Sequence, residues 1–368
     1  MNYLTSRPVM MVGSVPCQSA EEVFRLVGPA LGDLLVGLPD GEPGYRNMWV
    51  VFNGPHVYEP HPDIEVTNKP PRRPETSIFK DKKVPDWVPT SWDEMWQFRI
   101  RDGVESIGFD NLHYAEFAIE SYRIFKRMRD EGVIPAGTRF QVNLPLPEDF
   151  TRWCTNTPRD FAIMTKAIEN ALVSELAKIT EAIPAYDLVI QFDVCWEVFA
   201  CDTGDYMGRE PLAFKGDGDP YERFASYIAR LAPLIPTDAV FGMHLCYGDL
   251  EHSHMIEPKD LAVCVRMTNL ANQHSGNRLD YVQMPVPRDR DDDAYFAPLA
   301  DLAPSNTKIY IGLVHLTDGT EGTRRRLAAF KRHYSGEYGV ATECGWGRRK
   351  TGTIPDLMKV HREVAEGL

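Results

Sequence analysis

The sequence has few cysteines and no long apolar run. Its seven cysteines are scattered over 368 residues, which is too sparse for the disulfide framework of a small secreted protein. No apolar run approaches the roughly 18–20 residues that a membrane-spanning helix needs, and the amino-terminal stretch has no cleavage-like signal sequence. We therefore expect a cytoplasmic protein whose thiols bind a metal or fill the core.

Positive charge is also in the minority. The chain has 40 Lys and Arg against 53 Asp and Glu, a net charge of −13 at pH 7. Nucleic acids and anionic membranes bind clustered positive charge, so we expect neither as a partner. The hydrophobic fraction of 43% is typical of a globular protein. A small-molecule ligand is the expected partner.

Short apolar runs typical of buried strands alternate with segments of helical period along most of the chain. The predicted strands are residues 9–14, 34–38, 139–144, 187–194, 239–245, 279–284, 308–314 and 338–342. The predicted helices are residues 19–31, 112–131, 158–183, 220–235, 258–274, 293–302, 321–334 and 354–366.

Eight strand-then-helix units predict parallel strands joined by crossover helices, and eight such strands close a barrel. The alternative is an open doubly wound sheet, which would carry a glycine-rich phosphate turn after an early strand. Residues 12–16 (VGSVP) do not form such a turn. We predict an α/β fold, a single (β/α)8 TIM-type barrel domain over residues 1–368.

The main irregularity is residues 41–110, which hold nine of the 28 prolines and four of the seven tryptophans. Loops of this length in compact domains are usually functional or disordered, and the aromatic content argues against disorder. We predict that this insertion after the second strand forms a cap over the mouth of the barrel.

Barrel enzymes build their active sites at the carboxyl ends of the strands. Polar side chains follow most of the predicted strands at that end: Ser14, Asp40, Glu42, Arg46, Asp193, Cys195, Glu197, His244, Cys246, Asp249, His315, Asp318, Glu343 and Cys344. In a closed barrel these side chains converge on one mouth.

His244 and Cys246 are two residues apart at a predicted strand end, so their side chains point to the same face. With Cys344 after the last strand, they offer one imidazole and two thiolates, which favour zinc over magnesium or calcium. Three protein ligands with an open fourth position are typical of a catalytic zinc site. On spacing alone the alternative stays open that both cysteines are core filler and His244 a hydrogen-bonded core residue.

Short segments around these residues resemble, in the same order along the chain, the catalytic barrel of cobalamin-independent methionine synthase. The superfamily of that enzyme includes uroporphyrinogen decarboxylase. VGSVP at 12–16 is similar to the family's I-G-S-F-P, and GEP with RNM within 41–48 to H-G-E-x-E-R-N-D-M. QFD at 191–193 is similar to Q-I-D, and HLCY at 244–247 to H-M-C-Y. The strand ending at His315 resembles the one ending in D-I-H, and ECG at 343–345 resembles D-C-G.

The resemblance implies that Zn2+ is held by His244, Cys246 and Cys344. It also implies a thiol or thioether substrate whose ammonium meets Glu42 and Asp193 and whose carboxylate meets Ser14. Arg46 would join them in substrate binding, and His315, with Asp193, would serve catalysis, His315 by handling a proton. The implied function is zinc-dependent activation of a thiolate for carbon–sulfur bond formation or cleavage, as in a thiol alkyl- or methyltransferase or a thioether lyase.

One family feature is missing. The family's glutamate ligand falls at the end of the sixth predicted strand, where residues 281–285 read YVQMP and Met284 stands at the expected position. The fourth ligand would then be water, the substrate or another residue such as Asp249.

Two other functions fit parts of the sequence. A metal-free decarboxylase of the uroporphyrinogen decarboxylase type would use an aspartate and arginines at the mouth, with Asp40 and Arg46 as the candidates, and no cysteine ligands. A catalytically silent barrel that binds a small molecule would explain the missing glutamate.

Overall fold

The computed structural model describes residues 3–72, 86–89, 91–202, 218–248 and 254–368. Nine strands lie in these residues: β1 (Leu38–Pro39), β2 (Ile64–Asn68), β3 (Gln97–Ile100), β4 (Phe140–Pro145), β5 (Leu188–Val194), β6 (Val240–Leu245), β7 (Tyr281–Pro285), β8 (Lys308–Val314) and β9 (Tyr338–Thr342). Seven of them form a curled parallel sheet in the order β1-β4-β5-β6-β7-β8-β9. The predicted α/β class with parallel strands is therefore confirmed.

Helices connect the strands of this sheet. They are α1 (Ala20–Leu31), α2 (Tyr114–Asp130), α3 (Pro147–Thr151), α4 (Pro158–Ala182), α5 (Trp196–Cys201), α6 (Pro220–Leu231), α7 (Ala262–His274), α8 (Asp293–Phe296), α9 (Gly319–His333) and α10 (Ile354–Ala365). Side-chain caps explain where several begin. The Ser19 hydroxyl accepts from the amide of Glu22 at the start of α1, and Thr157 caps α4 just before Pro158.

The amino-terminal segment differs from the strand predicted at 9–14. Only Val9 forms bridges, one to Leu35 and one to Val340, both parallel. Beyond it, side chains of the sheet replace strand partners, because the amide of Gln141 donates to the carbonyls of Met11 and Val12. The carbonyl of Val12 also accepts from Asn143 and Gln191. Amide side chains therefore take over the hydrogen bonds that a longer strand would make.

The insertion at 41–110 contains structure that the sequence did not predict. Strands β2 and β3 form an antiparallel hairpin, and Phe98 of β3 bridges to Thr155. A 3-10 segment, Gly44–Phe52, kinks at Trp49, whose backbone has φ 51° and ψ −123°. None of the helices in the described residues is long and apolar enough to cross a membrane.

Alternation along the strands divides the buried side chains into two layers. Val12, Val189, Tyr281 and Tyr310 belong to a small cluster inside the curled sheet, whereas Met284 belongs to the large cluster that includes the helices. Since side chains alternate across a strand, Gln283 shares the inner face with Tyr281. The inner face at the carboxyl ends of the strands is where the candidate site lies.

Candidate metal and substrate site

His244, Cys246 and Cys344 come together as predicted. Their ligand atoms all lie within 4.8 Å of one another, and the two sulfurs are 3.7 Å apart. Two thiolates bound to zinc at about 2.3 Å in a tetrahedron lie roughly 3.8 Å apart. The separation of the two sulfurs therefore fits a tetrahedral zinc ion, and the His244 ring lies close enough to contribute a third donor.

Gln283 orients the imidazole of His244. Its Oε1 lies 2.5 Å from Nδ1 of His244, and its Nε2 donates to the carbonyls of Thr342 and Glu343 at 3.0 and 3.1 Å. A metal-binding histidine commonly donates its second ring N–H to such an oxygen, which fixes the tautomer. This arrangement leaves Nε2 of His244 as the ligand atom.

On β7, the polar side chain that reaches the site is Gln283. Met284, one residue later, packs in the apolar layer. Asp249, which the sequence offered as a fourth ligand, lies outside the described residues.

Glu42, which is partly buried, and Asp193, which is buried, form a pair of carboxyl groups near the three donors. Burial, followed by the charge of Asp193, raises the pKa of Glu42 to about 8. Burial also raises the pKa of Asp193 to about 7, although hydrogen bonds from Gln191, Asn143 and Trp49 oppose the shift. Asp193 is paired in register with His244 across β5 and β6. The two carboxyl groups thus lie next to the candidate metal ligands.

An open pocket lies beside Glu42. Glu42, Arg46, Trp49, Tyr114 and Asn143 are among the residues that line it. Trp49 and Asn143 contact Asp193 as well, so the pocket reaches the carboxyl pair. Residues of the insertion and of the sheet both contribute to its wall.

Arg46 is held by Asp40, not by Glu42. Its guanidinium donates to both carboxylate oxygens of Asp40 at 3.3 and 2.7 Å and stacks over the ring of Phe117 at 4.5 Å. Burial alone would raise the pKa of Asp40. The charge and hydrogen bonds of Arg46, with help from Ser121, keep this pKa below its usual value. Both residues that the decarboxylase alternative assigns to catalysis are therefore engaged with each other.

Ser14 lies against the loop that follows Cys344. Its Oγ accepts from the amide of Gly347 at 3.2 Å and its carbonyl from the amide of Trp346 at 2.8 Å. A Cβ on the neighbouring Gly13 would come within 2.2 Å of Asn143 and 3.3 Å of Glu42. A glycine is needed here because the amino-terminal segment passes so close to the pocket.

His315 is buried and neutral. Burial, then the charge of Arg326, lowers its pKa to about 4, and its Nε2 bonds to the carbonyl of Val286 at 2.8 Å. Its Nδ1 faces Oε2 of Glu343 at 4.0 Å, next to the candidate ligand Cys344. At neutral pH this Nδ1 carries a lone pair and can accept a proton.

A second histidine, His254, was missed at the sequence level. Its Nε2 contacts Oε1 of Glu343 at 2.7 Å and its Nδ1 contacts Glu257 at 3.1 Å. These two carboxylates raise the pKa of His254 to about 9, against the effect of burial. His254 is therefore an imidazolium that neutralises Glu343.

Of the residues predicted for the site, Glu42 interacts with Asp193, Asp193 pairs in register with His244, Ser14 contacts the loop after Cys344, and His315 faces Glu343. Trp49, Asn143, Gln283 and His254 were not predicted. Gln283 and Asn143 had a readable signal, because a polar residue within a buried strand run marks a position with a specific partner.

No family model matches the chain, and no curated protein matches it. Among solved structures it is similar to a B12-independent methionine synthase from Shewanella sp. W3-18-1 in complex with selenomethionine. The TM-score is 0.51 at 11% identity, over 98% of this chain and 98% of that chain. At this identity the likeness shows that the two chains share a fold.

Proposed function

We propose that the protein is a zinc-dependent enzyme that activates a thiol sulfur for the formation or cleavage of a carbon–sulfur bond. The observation that carries the proposal is the convergence of His244, Cys246 and Cys344, with the ring of His244 fixed by Gln283. A solved neighbour of the same fold is a methionine synthase that holds selenomethionine, which agrees with a small thiol or thioether as the substrate.

His244, Cys246 and Cys344 would hold the metal ion. When bound, zinc lowers the pKa of a coordinated thiol, so that the thiolate, which is the nucleophilic form, is present at neutral pH. Three protein donors leave one position for that sulfur, as in catalytic zinc sites.

Glu42 and Asp193 would bind a cationic group of the substrate. Their raised pKa values mean that the pair carries less than its full negative charge at neutral pH. An ammonium placed between them favours the ionised forms. Arg46 would hold the adjoining wall in place through Asp40, and Ser14 lies where a substrate carboxylate would meet the loop after β9.

His315 would accept the proton that the reaction releases. Its Nε2 is committed to the carbonyl of Val286, so Nδ1 is the accepting atom. Glu343, 4.0 Å away, would stabilise the imidazolium that forms. The low pKa of His315 keeps the free ring neutral, so Nδ1 has a lone pair available at neutral pH.

The barrel architecture also belongs to the proposal. Val9 bridges to Leu35 next to β1 and to Val340 in β9, the two edges of the seven-stranded sheet. We infer that this segment acts as the eighth strand of a closed barrel. Residues 41–110 would then form the cap over the mouth, since Trp49 of this insertion contacts Asp193.

Metal content tests the proposal. We expect about one zinc per chain in protein purified without chelators, and loss of that zinc in Cys246→Ser and in Cys344→Ser, because each variant removes one of three ligands. Elemental mass spectrometry measures it directly. Cys154→Ser is the matched control, since the Cys154 thiol is buried and donates to the carbonyls of Phe150 and Thr151.

Folded wild-type protein that takes up no zinc after incubation with the metal would contradict the proposal. If zinc binds, the zinc-loaded protein should accelerate the alkylation of small aminothiols. The rate at which free thiol disappears measures this reaction. Glu42→Gln should then raise KM for aminothiols while leaving the zinc content unchanged.

A further inference from the structure

The two candidate cysteine ligands lie on loops that follow different strands. Cys246 follows β6 and Cys344 follows β9, and β7 and β8 lie between these strands in the sheet. Backbone hydrogen bonds between neighbouring strands therefore do not join the two loops directly. A metal site between the two sulfurs needs other contacts that hold one loop against the other.

Gln283 of β7 supplies one such contact. Its Nε2 donates to the carbonyls of Thr342 and Glu343 at 3.0 and 3.1 Å, and its Oε1 meets the ring of His244. These bonds hold the backbone just before Cys344 and tie it to β6 and β7. The loop that follows β6 is not among the partners of Gln283, so this loop has to be held in another way.

The chain beyond Cys246 turns back onto the end of β6. Gly248 has a φ of 85°, and its amide donates to Sγ of Cys246 at 3.3 Å. The amide of Met255 donates to the carbonyl of Tyr247 at 2.8 Å. A Cβ at Gly248 would come within 2.8 Å of the Met255 side chain. The segment that begins at His254 is therefore packed closely against the residues that follow β6.

From this segment, His254 reaches the loop that contains Cys344. Its Nε2 forms an ion pair with Oε1 of Glu343 at 2.7 Å, and its Nδ1 lies 3.1 Å from Oε2 of Glu257. A carboxylate partner at each ring nitrogen fixes the orientation of the ring. The side chains of His254 and Glu343 are 14% and 19% exposed, so salt and water screen their attraction less than that of a surface pair.

We propose that His254 is a positioning residue of the metal site, which keeps the loop of Cys344 next to that of Cys246. It acts through its ion pair with Glu343, the residue before Cys344, and the donor atoms remain those of the two cysteines and His244. The inference rests on the proposed function, since it presupposes that a metal binds to these thiols. Without the ion pair the two sulfurs are held together less firmly, and the metal should bind more weakly.

Zinc affinity, measured by competition with a chromogenic chelator, tests this role. We expect a fall of about 10–100-fold in His254→Gln, the loss typical of an outer-shell partner of a metal ligand. His254→Lys keeps a positive charge that can reach Glu343, and it should restore most of the affinity. The matched control is His333→Gln, which removes the pair of His333 with Asp293 at 3.0 Å, at the carboxyl end of α9. It should bind zinc like the wild type.

Thermal unfolding of the metal-free proteins separates positioning from general packing. We expect wild type and both His254 variants to unfold at closely similar temperatures, because one partly exposed ion pair contributes little to the stability of the whole chain. Three results would each overturn the assignment and leave the proposed function intact. They are an unchanged zinc affinity in His254→Gln, a fall that only follows a lower unfolding temperature, and a fall that lysine does not restore. Wild-type protein that binds no zinc overturns both.

Discussion

The raised pKa values of Glu42 and Asp193 lower the stability of the folded protein at neutral and alkaline pH. Each carboxyl group has a pKa in the folded state, about 8 and about 7, above its ordinary value of 4.5 or 3.8. The folded protein thus holds protons that the unfolded chain has released. The stability from this extra proton binding is fully present below pH 4 and is lost as the pH rises through the folded-state pKa values.

We therefore predict that Glu42→Gln and Asp193→Asn stabilise the protein at pH 8. Neutral amides do not need to be protonated to be buried, so the gain should be on the order of 2 kcal/mol at pH 8 and should shrink towards pH 5. Urea unfolding at several pH values measures it.

Glu366→Gln, at an exposed position of the last turn, is the control and should change the free energy of unfolding little at any pH. A gain for Asp193→Asn that does not depend on pH would show that the raised pKa is not its cause.

Helix α9 is attached to the end of β8 by one fully buried cation. Arg326 donates to both carboxylate oxygens of Asp318 and to the carbonyls of Leu313 and Arg288. Its side chain is inaccessible to solvent, whereas Asp318 is partly exposed. These bonds fix the loop that contains His315.

Replacing Arg326 should cost more than replacing its neighbour on the same helix. We predict that Arg326→Leu lowers the free energy of unfolding by about 2–4 kcal/mol, because Asp318 and two carbonyls lose their partner. The exposure of Asp318 keeps the cost below that of a fully buried pair.

Arg325→Leu provides the comparison, since its guanidinium is half exposed in its pairs with Asp291 and Asp318, and its loss should cost no more than about 1 kcal/mol. Thermal unfolding of both variants checks the difference. If both variants lost the same amount of stability, the buried contacts of Arg326 would add nothing to the stability of the protein.

The elements with strong patterns were predictable from the sequence. The strands at 308–314 and 338–342 have the predicted bounds, and α4 and α10 end one residue early. The strand at 9–14 failed because Gln141, Asn143 and Gln191 bond its carbonyls from a distance in sequence, which no local pattern reveals. The hairpin formed by β2 and β3 lacks a clean alternation of apolar and polar residues, so the sequence predicted a loop there.

The candidate site was partly predictable for the same reason. The two-residue spacing of His244 and Cys246 places both on one face, and that inference needs only strand geometry. The same alternation, applied from Tyr281, places Gln283 on the inner face and Met284 on the opposite face. The contact of Trp49 with Asp193 depends on a backbone kink that the sequence does not signal.

At the scale of the whole molecule, the amino-terminal segment decides whether the sheet is a closed ring. Its amides and carbonyls reach both edges, because Val36 donates to Val9, Met10 donates to Val340, and Val340 donates to Pro8. The two bonds with Val340 join the amino-terminal segment to β9, the last strand of the sheet.

We predict that the amides of Val36, Met10 and Val340 exchange with solvent as slowly as those of β8. In a closed ring they open only with the global unfolding reaction, so their protection should approach that of the core. Hydrogen exchange followed by NMR measures each amide, with Glu105 in an exposed loop as the fast reference. Fast exchange of all three amides alongside slow exchange in β8 would show that the sheet is open.

The backbone between β1 and the insertion has a consequence for how this sequence would evolve. Glu42 and Trp49 both have positive φ angles, 54° and 51°. In turns, the backbone conformation of Trp49 is normally found at glycine. Left-handed backbone costs an ordinary residue about 1–2 kcal/mol. Selection for thermal tolerance alone would therefore favour glycine at both positions. A library selected that way should gain stability at these positions, and the glutamate and the indole would persist only where ligand binding is selected too.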